Sequence, residues 1–133
     1  MHMTQEADYA VRIVYCLAAS GKRRDANYIS ENIGVSLRFS LKILRKLVAS
    51  GILNSYKGQG GGYELARTTD DITLNDVIET VDGPYVLNKC LKDGHECNMD
   101  DASACNFRDI YAEISDAITE KLSKVTFRSL LEK

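Results

Sequence analysis

The feature that most restricts the fold is a pair of short helical patterns separated by a glycine, within residues 27–49. The first pattern ends at Gly34, and Ser36 can cap the second. The second has an apolar stripe formed by Phe39, Ile43, Leu44, Leu47 and Val48. Polar and basic residues lie largely outside that stripe: Arg38, Ser40, Lys42, Arg45 and Lys46. Such a pair is typical of a helix-turn-helix, although an ordinary αα-hairpin has the same pattern.

A glycine-rich turn follows the two helices. Two short strand patterns flank residues 57–62, where four of the six residues are glycine. Glycine lets backbone N–H groups approach a phosphate closely, and the side chains of Lys57, Gln59 and Arg67 extend further. A nucleotide-phosphate loop is disfavoured, because the chain has no G-x4-G-K-S/T motif and no helix pattern follows the turn directly. The sequence therefore predicts a β-hairpin wing over residues 52–66.

The charges of the chain are distributed unevenly. Residues 1–67 hold ten Lys/Arg and five Asp/Glu, a net charge of +5. The remaining seven bases and fourteen acids give residues 68–133 a net charge of −7. This division predicts an anionic partner for the first half alone. No apolar stretch reaches the length of a membrane span, and no nucleophile–base constellation indicates an enzyme.

Three of the four cysteines, Cys90, Cys97 and Cys105, lie within sixteen residues of a polar segment that has neither a helix nor a strand pattern. The chain shows no signal peptide, so we expect a cytoplasmic, reducing setting in which stable disulfides are rare. Thiolates are the ligands of iron–sulfur clusters, whereas zinc sites usually contain a closely spaced cysteine pair. Free thiols, a disulfide with one unpaired thiol, and a metal or cluster site all remain open on these grounds.

The last segment carries a long amphipathic pattern. Apolar residues recur at helical spacing from Phe107 to Val125, over more turns than a small helical body can cover. We therefore predict a dimerisation helix over residues 107–133 and a homodimer. The candidate dimer contacts are Ile110, Ile114, Ile118 and Leu122.

Two motifs then carry a family resemblance. The wing at 57–66 (KGQGGGYELA) and the segment at 72–78 (ITLNDVI) resemble the IscR/NsrR/CymR type of winged helix-turn-helix transcriptional regulators. The resemblance runs from Thr4 through at least Cys105, and one departure is Ser40-Leu41, where relatives place the apolar residue directly after the aromatic one.

This resemblance implies a mainly α fold with a small β-hairpin wing. Residues 1–83 would form the winged helix-turn-helix domain, residues 84–106 a cysteine-rich cluster-binding loop, and residues 107–133 the dimerisation helix. It also implies a repressor that binds a double-stranded DNA operator. The candidate DNA contacts are Ser36, Arg38, Ser40, Lys42, Lys57, Gln59, Gly60, Gly61 and Arg67.

In the cluster-binding members of this family, three cysteines of the same loop hold an iron–sulfur cluster. The resemblance therefore implies this role for Cys90, Cys97 and Cys105, and the spacing does not distinguish a 2Fe–2S from a 4Fe–4S cluster. The cluster would sense redox state, nitric oxide or iron and sulfur status. The CymR type implies the alternative, a cluster-free thiol switch or partner-binding regulator of sulfur or cysteine metabolism.

The fourth cluster ligand differs among members of the family. Some use a histidine three residues after the last cysteine, and Arg108 occupies that position here. Others use an N-terminal aspartate contributed across the dimer, at the place of Asp8. Asp8 is therefore the expected fourth ligand, with His95 and Glu6 as the alternatives.

Overall fold

The computed structural model describes residues 2–99 and 105–133. Within these residues the chain is mainly helical with one two-stranded antiparallel hairpin, which confirms the predicted fold class. The elements in chain order are α1 (Gln5–Ser20), α2 (Ala26–Ile33), α3 (Leu37–Ala49), β1 (Leu53–Tyr56), β2 (Gly62–Leu65), α4 (Leu74–Asp82), α5 (Asn106–Ser123) and α6 (Phe127–Leu131). A single 3₁₀ turn, Lys89–Leu91, lies between α4 and α5.

Local capping signals set the ends of the α2–α3 pair. The Asp25 side chain accepts a hydrogen bond from the Tyr28 N–H and begins α2. Gly34 ends that helix in the left-handed conformation, with φ of 73°, which glycine adopts at low cost. Ser36 accepts from the Phe39 N–H and begins α3. The predicted helix pair and its turn are present.

The core lies between α1, α2, α3, the base of the hairpin, α4 and α6. Its largest fully buried side chains include Ile13, Leu17, Ile29, Ile43, Leu44, Leu47, Ile52, Leu53, Ile72 and Phe127. The two strands pair from Leu53 opposite Leu65 to Tyr56 opposite Gly62. Among the described helices, none has the length and apolar character needed to cross a membrane.

The predicted single helix over residues 107–133 is wrong in its last third. The helix α5 ends at Ser123, and Thr126 then caps α6 by accepting a hydrogen bond from the Ser129 N–H. Between the two helices, Thr126 is extended and forms an antiparallel bridge with Thr73, and Leu74 donates its N–H to the Val125 carbonyl (2.9 Å). Phe127 is fully buried in the core. The last residues therefore complete the same domain as α1–α4 and do not prolong α5.

Candidate functional site

The start of α3 carries a basic surface. The side chains of Arg38, Lys42 and Arg45 are exposed and line, with Ser36 and Phe39, a shallow cavity of about 350 Å³. None of these three cations has an ion pair to any residue that the structure describes. The N-terminus of a helix adds a partial positive charge at the same place. This surface is suited to an anion such as a nucleic-acid backbone.

Ser40 does not belong to this surface. It is 0% exposed, and its hydroxyl has no hydrogen-bond partner among the described residues. The expectation that Ser40 contacts a base is therefore wrong, because the α3 face on which it lies packs against the core. Lys46 is also engaged elsewhere, with its Nζ 2.7 Å from Glu6 Oε1.

The wing tip is exposed and depends on glycine. Lys57, Gln59 and Gly60 are all exposed, and Lys57 has no ion pair within the described chain. A Cβ on Gly61 would collide with the carbonyl oxygens of Tyr56 and of Gly58, so only glycine fits there without backbone movement. The tip therefore presents backbone amides and the Lys57 cation to an approaching phosphate.

Arg67 differs from the other basic residues of the wing. Its Nε lies 3.0 Å from Asp71 Oδ2, its Nη2 lies 3.2 Å from Asp76 Oδ2, and it also donates to the Asp71 carbonyl. The hydrogen bond to Asp71 is the main cause that raises the pKa of Arg67, followed among the raising causes by the charge of Asp76. Asp76 in turn forms the capping box of α4 with Thr73. Arg67 therefore joins the end of the wing to α4, and its charge is already compensated.

The three loop cysteines line one cavity. Cys90, Cys97 and Cys105 surround a space of about 500 Å³, together with His95 and Arg108 among others. Cys97 is exposed, and the other two are half-buried. All four cysteines of the chain are free thiols, so the disulfide alternative is not realised in this structure.

The fit of these residues to a cluster is partial. Three free thiols in one cavity supply the ligand type that an iron–sulfur cluster requires. Across residues 2–99 and 105–133, however, no group of three or more His, Cys, Asp and Glu side chains is arranged to hold a metal ion. The thiols therefore agree with a cluster in kind and supply three of its four ligands, but they do not converge on one point in the structure.

Both ends of the cysteine loop are attached to α5. Leu87 donates its N–H to Ser115 Oγ (2.9 Å), and Ser115 donates to the Tyr111 carbonyl (2.7 Å). At the other end, Cys105 directly precedes α5. Sequence reasoning missed Ser115, although a serine on the inner side of an amphipathic helix is a recognisable signal. The loop and α5 are thus mechanically connected through this buried hydroxyl.

The structure separates the candidates for a fourth ligand. His95 lines the cysteine cavity, whereas Asp8 does not. Asp8 Oδ2 instead lies 2.9 Å from Arg12 Nη2, and Glu6 is paired with Lys46. Within one chain, the structure therefore brings together the cysteines and His95 but not the cysteines and Asp8.

The predicted dimer contacts fall on two sides of α5. Ile110 and Ile114 are 53% and 41% exposed, and Phe107, one turn earlier, is 60% exposed. Ile118 and Leu122 are half-buried and face α4, where they line a cavity of about 510 Å³. The exposed apolar face of α5 is therefore formed by its first half.

Comparisons with known proteins agree with this architecture. The family model Rrf2, described as "Iron-dependent Transcriptional regulator", matches residues 3–133. Protein aau3 of Rhizobium meliloti (strain 1021) is 32% identical over 80% of this chain and 70% of its own length. The regulator IscR of Pectobacterium carotovorum subsp. carotovorum (strain PC1) is 29% identical over 98% of this chain and 79% of its own length.

The fold is also that of a protein of known structure. The structure of CymR, the global cysteine regulator of B. subtilis, superposes with a TM-score of 0.79 at 24% identity, covering 98% of this chain and 95% of that one. The match of the family model to nearly the whole chain identifies a group of regulators and not of enzymes. This chain belongs to the Rrf2 family of transcriptional regulators.

Proposed function

We propose that this regulator is a homodimeric repressor whose affinity for operator DNA is controlled by an iron–sulfur cluster. The cluster ligands in each chain are Cys90, Cys97 and Cys105. The observation that carries the proposal is that these three free thiols line one cavity, in a loop whose two ends are attached to α5. Two comparisons support it. The family is described as iron-dependent, and an IscR protein is 29% identical over 98% of this chain.

In this proposal α3 lies in the major groove. Arg38 stands in its first turn, where side chains of a recognition helix contact base edges. Lys42 and Arg45 extend from the same exposed surface toward phosphates. Lys57 and the glycine amides of the wing contact the adjacent backbone. Two copies of this arrangement, held at a fixed spacing by the dimer, would bind two half-sites.

The control step follows from the attachment of the loop to α5. A bound cluster would supply a thiolate-ligated centre that oxidants, nitric oxide or iron shortage can alter. Cys90 and Cys105 lie at opposite ends of the loop, so holding their thiols together fixes the segment that Ser115 ties to α5. Releasing them relaxes that segment and changes how α5 meets its copy, which would alter the spacing of the two α3 helices.

The fourth ligand is proposed to be Asp8 of the second chain. Asp8 lies in the first turn of α1 and is 41% exposed, so it is accessible to a partner. To bind the cluster, the Asp8 carboxylate would leave its ion pair with Arg12. His95 is the alternative within one chain, because it lines the same cavity as the cysteines.

A cluster-free thiol switch is the second candidate function. Two observations favour it, namely the likeness of the fold to CymR and the absence, among the described residues, of a convergent metal-ligating group. Cys97 is the exposed thiol of the loop and would be the first to form a sulfenic acid or an adduct. In this case the loop would change shape through oxidation and not through loss of a cluster.

Replacing Cys97 by alanine tests the cluster. Wild-type protein purified without oxygen is expected to be coloured and to contain iron and acid-labile sulfide, and Cys97→Ala is expected to lose the visible absorption and change operator affinity. Cys16→Ala is the matched control, because Cys16 is buried in α1 and burial raises the pKa of its thiol. A Cys97→Ala protein with wild-type iron content would refute the cluster. Colourless wild-type protein whose DNA affinity responds to oxidant through Cys97 would establish the thiol switch.

Lys57 and Arg67 give contrasting predictions for the wing. Lys57→Ala is expected to reduce the slope of log K against log salt concentration by about 1, as for the loss of one phosphate contact. Arg67→Ala is expected to leave that slope unchanged, because Arg67 is paired with Asp71 and Asp76. Operator binding measured at several salt concentrations checks both. An unchanged slope for Lys57→Ala would remove the wing from the proposed DNA interface.

A further inference from the structure

We infer that Arg23, in the turn between α1 and α2, is a positioning residue that holds the wing in its DNA-binding conformation. The inference rests on the proposed role of the wing in DNA binding. Arg23 contacts three parts of the wing at once, and these contacts involve its whole guanidinium group. We call Arg23, Tyr56, Gly60 and Glu64 the wing cluster.

One guanidinium joins both strands and the tip of the wing. The Cζ atom of Arg23 lies 3.4 Å from the centroid of the Tyr56 ring, at the end of β1. Its Nη1 donates to the Gly60 carbonyl at the tip (3.3 Å), and its Nη2 lies 3.4 Å from Glu64 Oε1 on β2. A planar group with several N–H donors can stack and donate in this way, whereas the ammonium of lysine cannot reproduce the geometry.

The charges of the wing cluster also fit a positioning role. The pKa of Glu64 is lowered, first by the Tyr56 hydroxyl and next by Arg23, so Glu64 is held as a carboxylate. This carboxylate lies on the proposed DNA-binding wing, where it would repel phosphates if it were unpaired. Arg23 offsets this charge, and so its cation is already engaged within the wing.

The start of β2, next to the tip of the wing, is fixed separately by the backbone. Arg24 donates its N–H to the Tyr63 carbonyl (2.9 Å), and Tyr63 donates back to the Arg24 carbonyl (2.7 Å). A Cβ on Gly62 would lie 2.5 Å from the Arg24 carbonyl oxygen, which shows how closely the two segments approach. The wing therefore meets the α1–α2 turn twice, through the backbone at the start of β2 and through the Arg23 side chain.

The tip needs this second contact because of its composition. Gly58 and Gly60 adopt positive φ angles of 80° and 78°, and Gly61 follows them. Such a segment has many accessible conformations, and ordering it upon binding costs affinity. Arg23 orders the tip before DNA arrives. When a contact of this kind is lost, the apparent affinity falls in proportion to the fraction of molecules that keep the competent wing.

Three variants test the inference. Arg23→Ala removes the contacts of the wing cluster. Arg23→Lys keeps the charge but not the planar group that stacks on Tyr56 and donates to Gly60. Lys22→Ala removes a neighbouring exposed cation from the same turn. Amide hydrogen exchange of wing residues 57–63 is measured in the DNA-free protein. Affinity is then measured for a duplex that the wild-type protein selects from a random-sequence library. In both Arg23 variants the wing amides are expected to exchange faster than in wild type, and the duplex is expected to bind about three- to tenfold more weakly.

A double-mutant cycle separates positioning from direct contact. Arg23 acts through the wing, so Arg23→Ala combined with Lys57→Ala is expected to lose less than the product of the two single losses. For Lys22→Ala combined with Lys57→Ala, the loss of affinity is expected to equal the product of the two single losses. Amide hydrogen exchange of the wing is expected to be unchanged in Lys22→Ala. The inference is overturned if Arg23→Lys binds like wild type, if Arg23→Ala leaves the exchange of the wing unchanged, or if the Arg23 and Lys57 effects multiply.

Failure of the proposed DNA-binding role gives a different result. In that case the wild-type protein selects no duplex from the library. The hydrogen exchange of the free protein still reports whether Arg23 orders the wing, and unchanged exchange in both Arg23 variants overturns the inference without reference to DNA.

Discussion

Replacement of Phe127 by alanine is expected to lower the free energy of unfolding by about 3–5 kcal/mol, the usual cost of removing a buried aromatic side chain. Phe127 is fully buried in the same cluster as Ile72 and Val77, and its N–H donates to the Ile72 carbonyl (3.0 Å). Small domains have only about 5–15 kcal/mol of total stability, so the variant would be close to unfolding under ordinary conditions.

Urea denaturation followed by circular dichroism measures this loss. Arg128→Ala is the matched control on α6, because Arg128 is exposed and its ion pairs with Asp70 and Glu132 are of the kind that contribute about 0–1 kcal/mol. If Phe127→Ala does not fold, Phe127→Leu retains most of the volume and is expected to show a smaller loss. If Phe127→Ala lowered the free energy of unfolding by less than about 1 kcal/mol, far below the usual cost of removing a buried aromatic side chain, α6 would not be part of the core.

The sequence does not predict α6 as a separate helix, because the boundary between α5 and α6 depends on tertiary contacts. The helical spacing of apolar residues continues from α5 up to Val125, and a single threonine at position 126 is a weak stop signal. The structure breaks the helix because Leu74 donates its N–H to the Val125 carbonyl, a contact that no local pattern contains. By contrast, α2 and α3 were predictable, since Gly34 and Ser36 act on their own neighbours.

The same distinction applies to the site residues. Spacing along the chain suggested that the three loop cysteines lie together, and they line one cavity. Ser40 precedes Ile43, Leu44 and Leu47 by three, four and seven residues, so helical spacing already placed it on the buried side of α3, and its polar side chain led to the wrong expectation. The pairing of Arg67 with Asp71 and Asp76 forms in the segment between β2 and α4, where Arg67 and Asp71 are not part of a helix. A spacing of four residues indicates a side-chain pair only on a helix, so this pairing could not be predicted from the sequence.

The second large effect is expected from α5. Phe107, Ile110 and Ile114 follow one another at helical spacing and are 60%, 53% and 41% exposed, which leaves a continuous apolar face uncovered in the single chain. A second copy of the chain is the proposed cover. The double variant Ile110→Glu with Ile114→Glu is expected to be monomeric and still folded, because these two side chains contribute little to the core of one chain.

Operator affinity is expected to fall at least about a hundredfold in this double variant, because a monomer binds one half-site without the gain from simultaneous engagement of two. Sedimentation velocity over a range of concentrations reports the oligomeric state, and binding to full and half operators reports the lost bivalency. Ser123→Glu, which places one such charge at another exposed position of α5, is expected to stay dimeric and bind normally. The proposed interface would be refuted by an Ile110→Glu, Ile114→Glu protein that sediments as the wild-type dimer, because two buried glutamates could not be accommodated at a closed apolar contact.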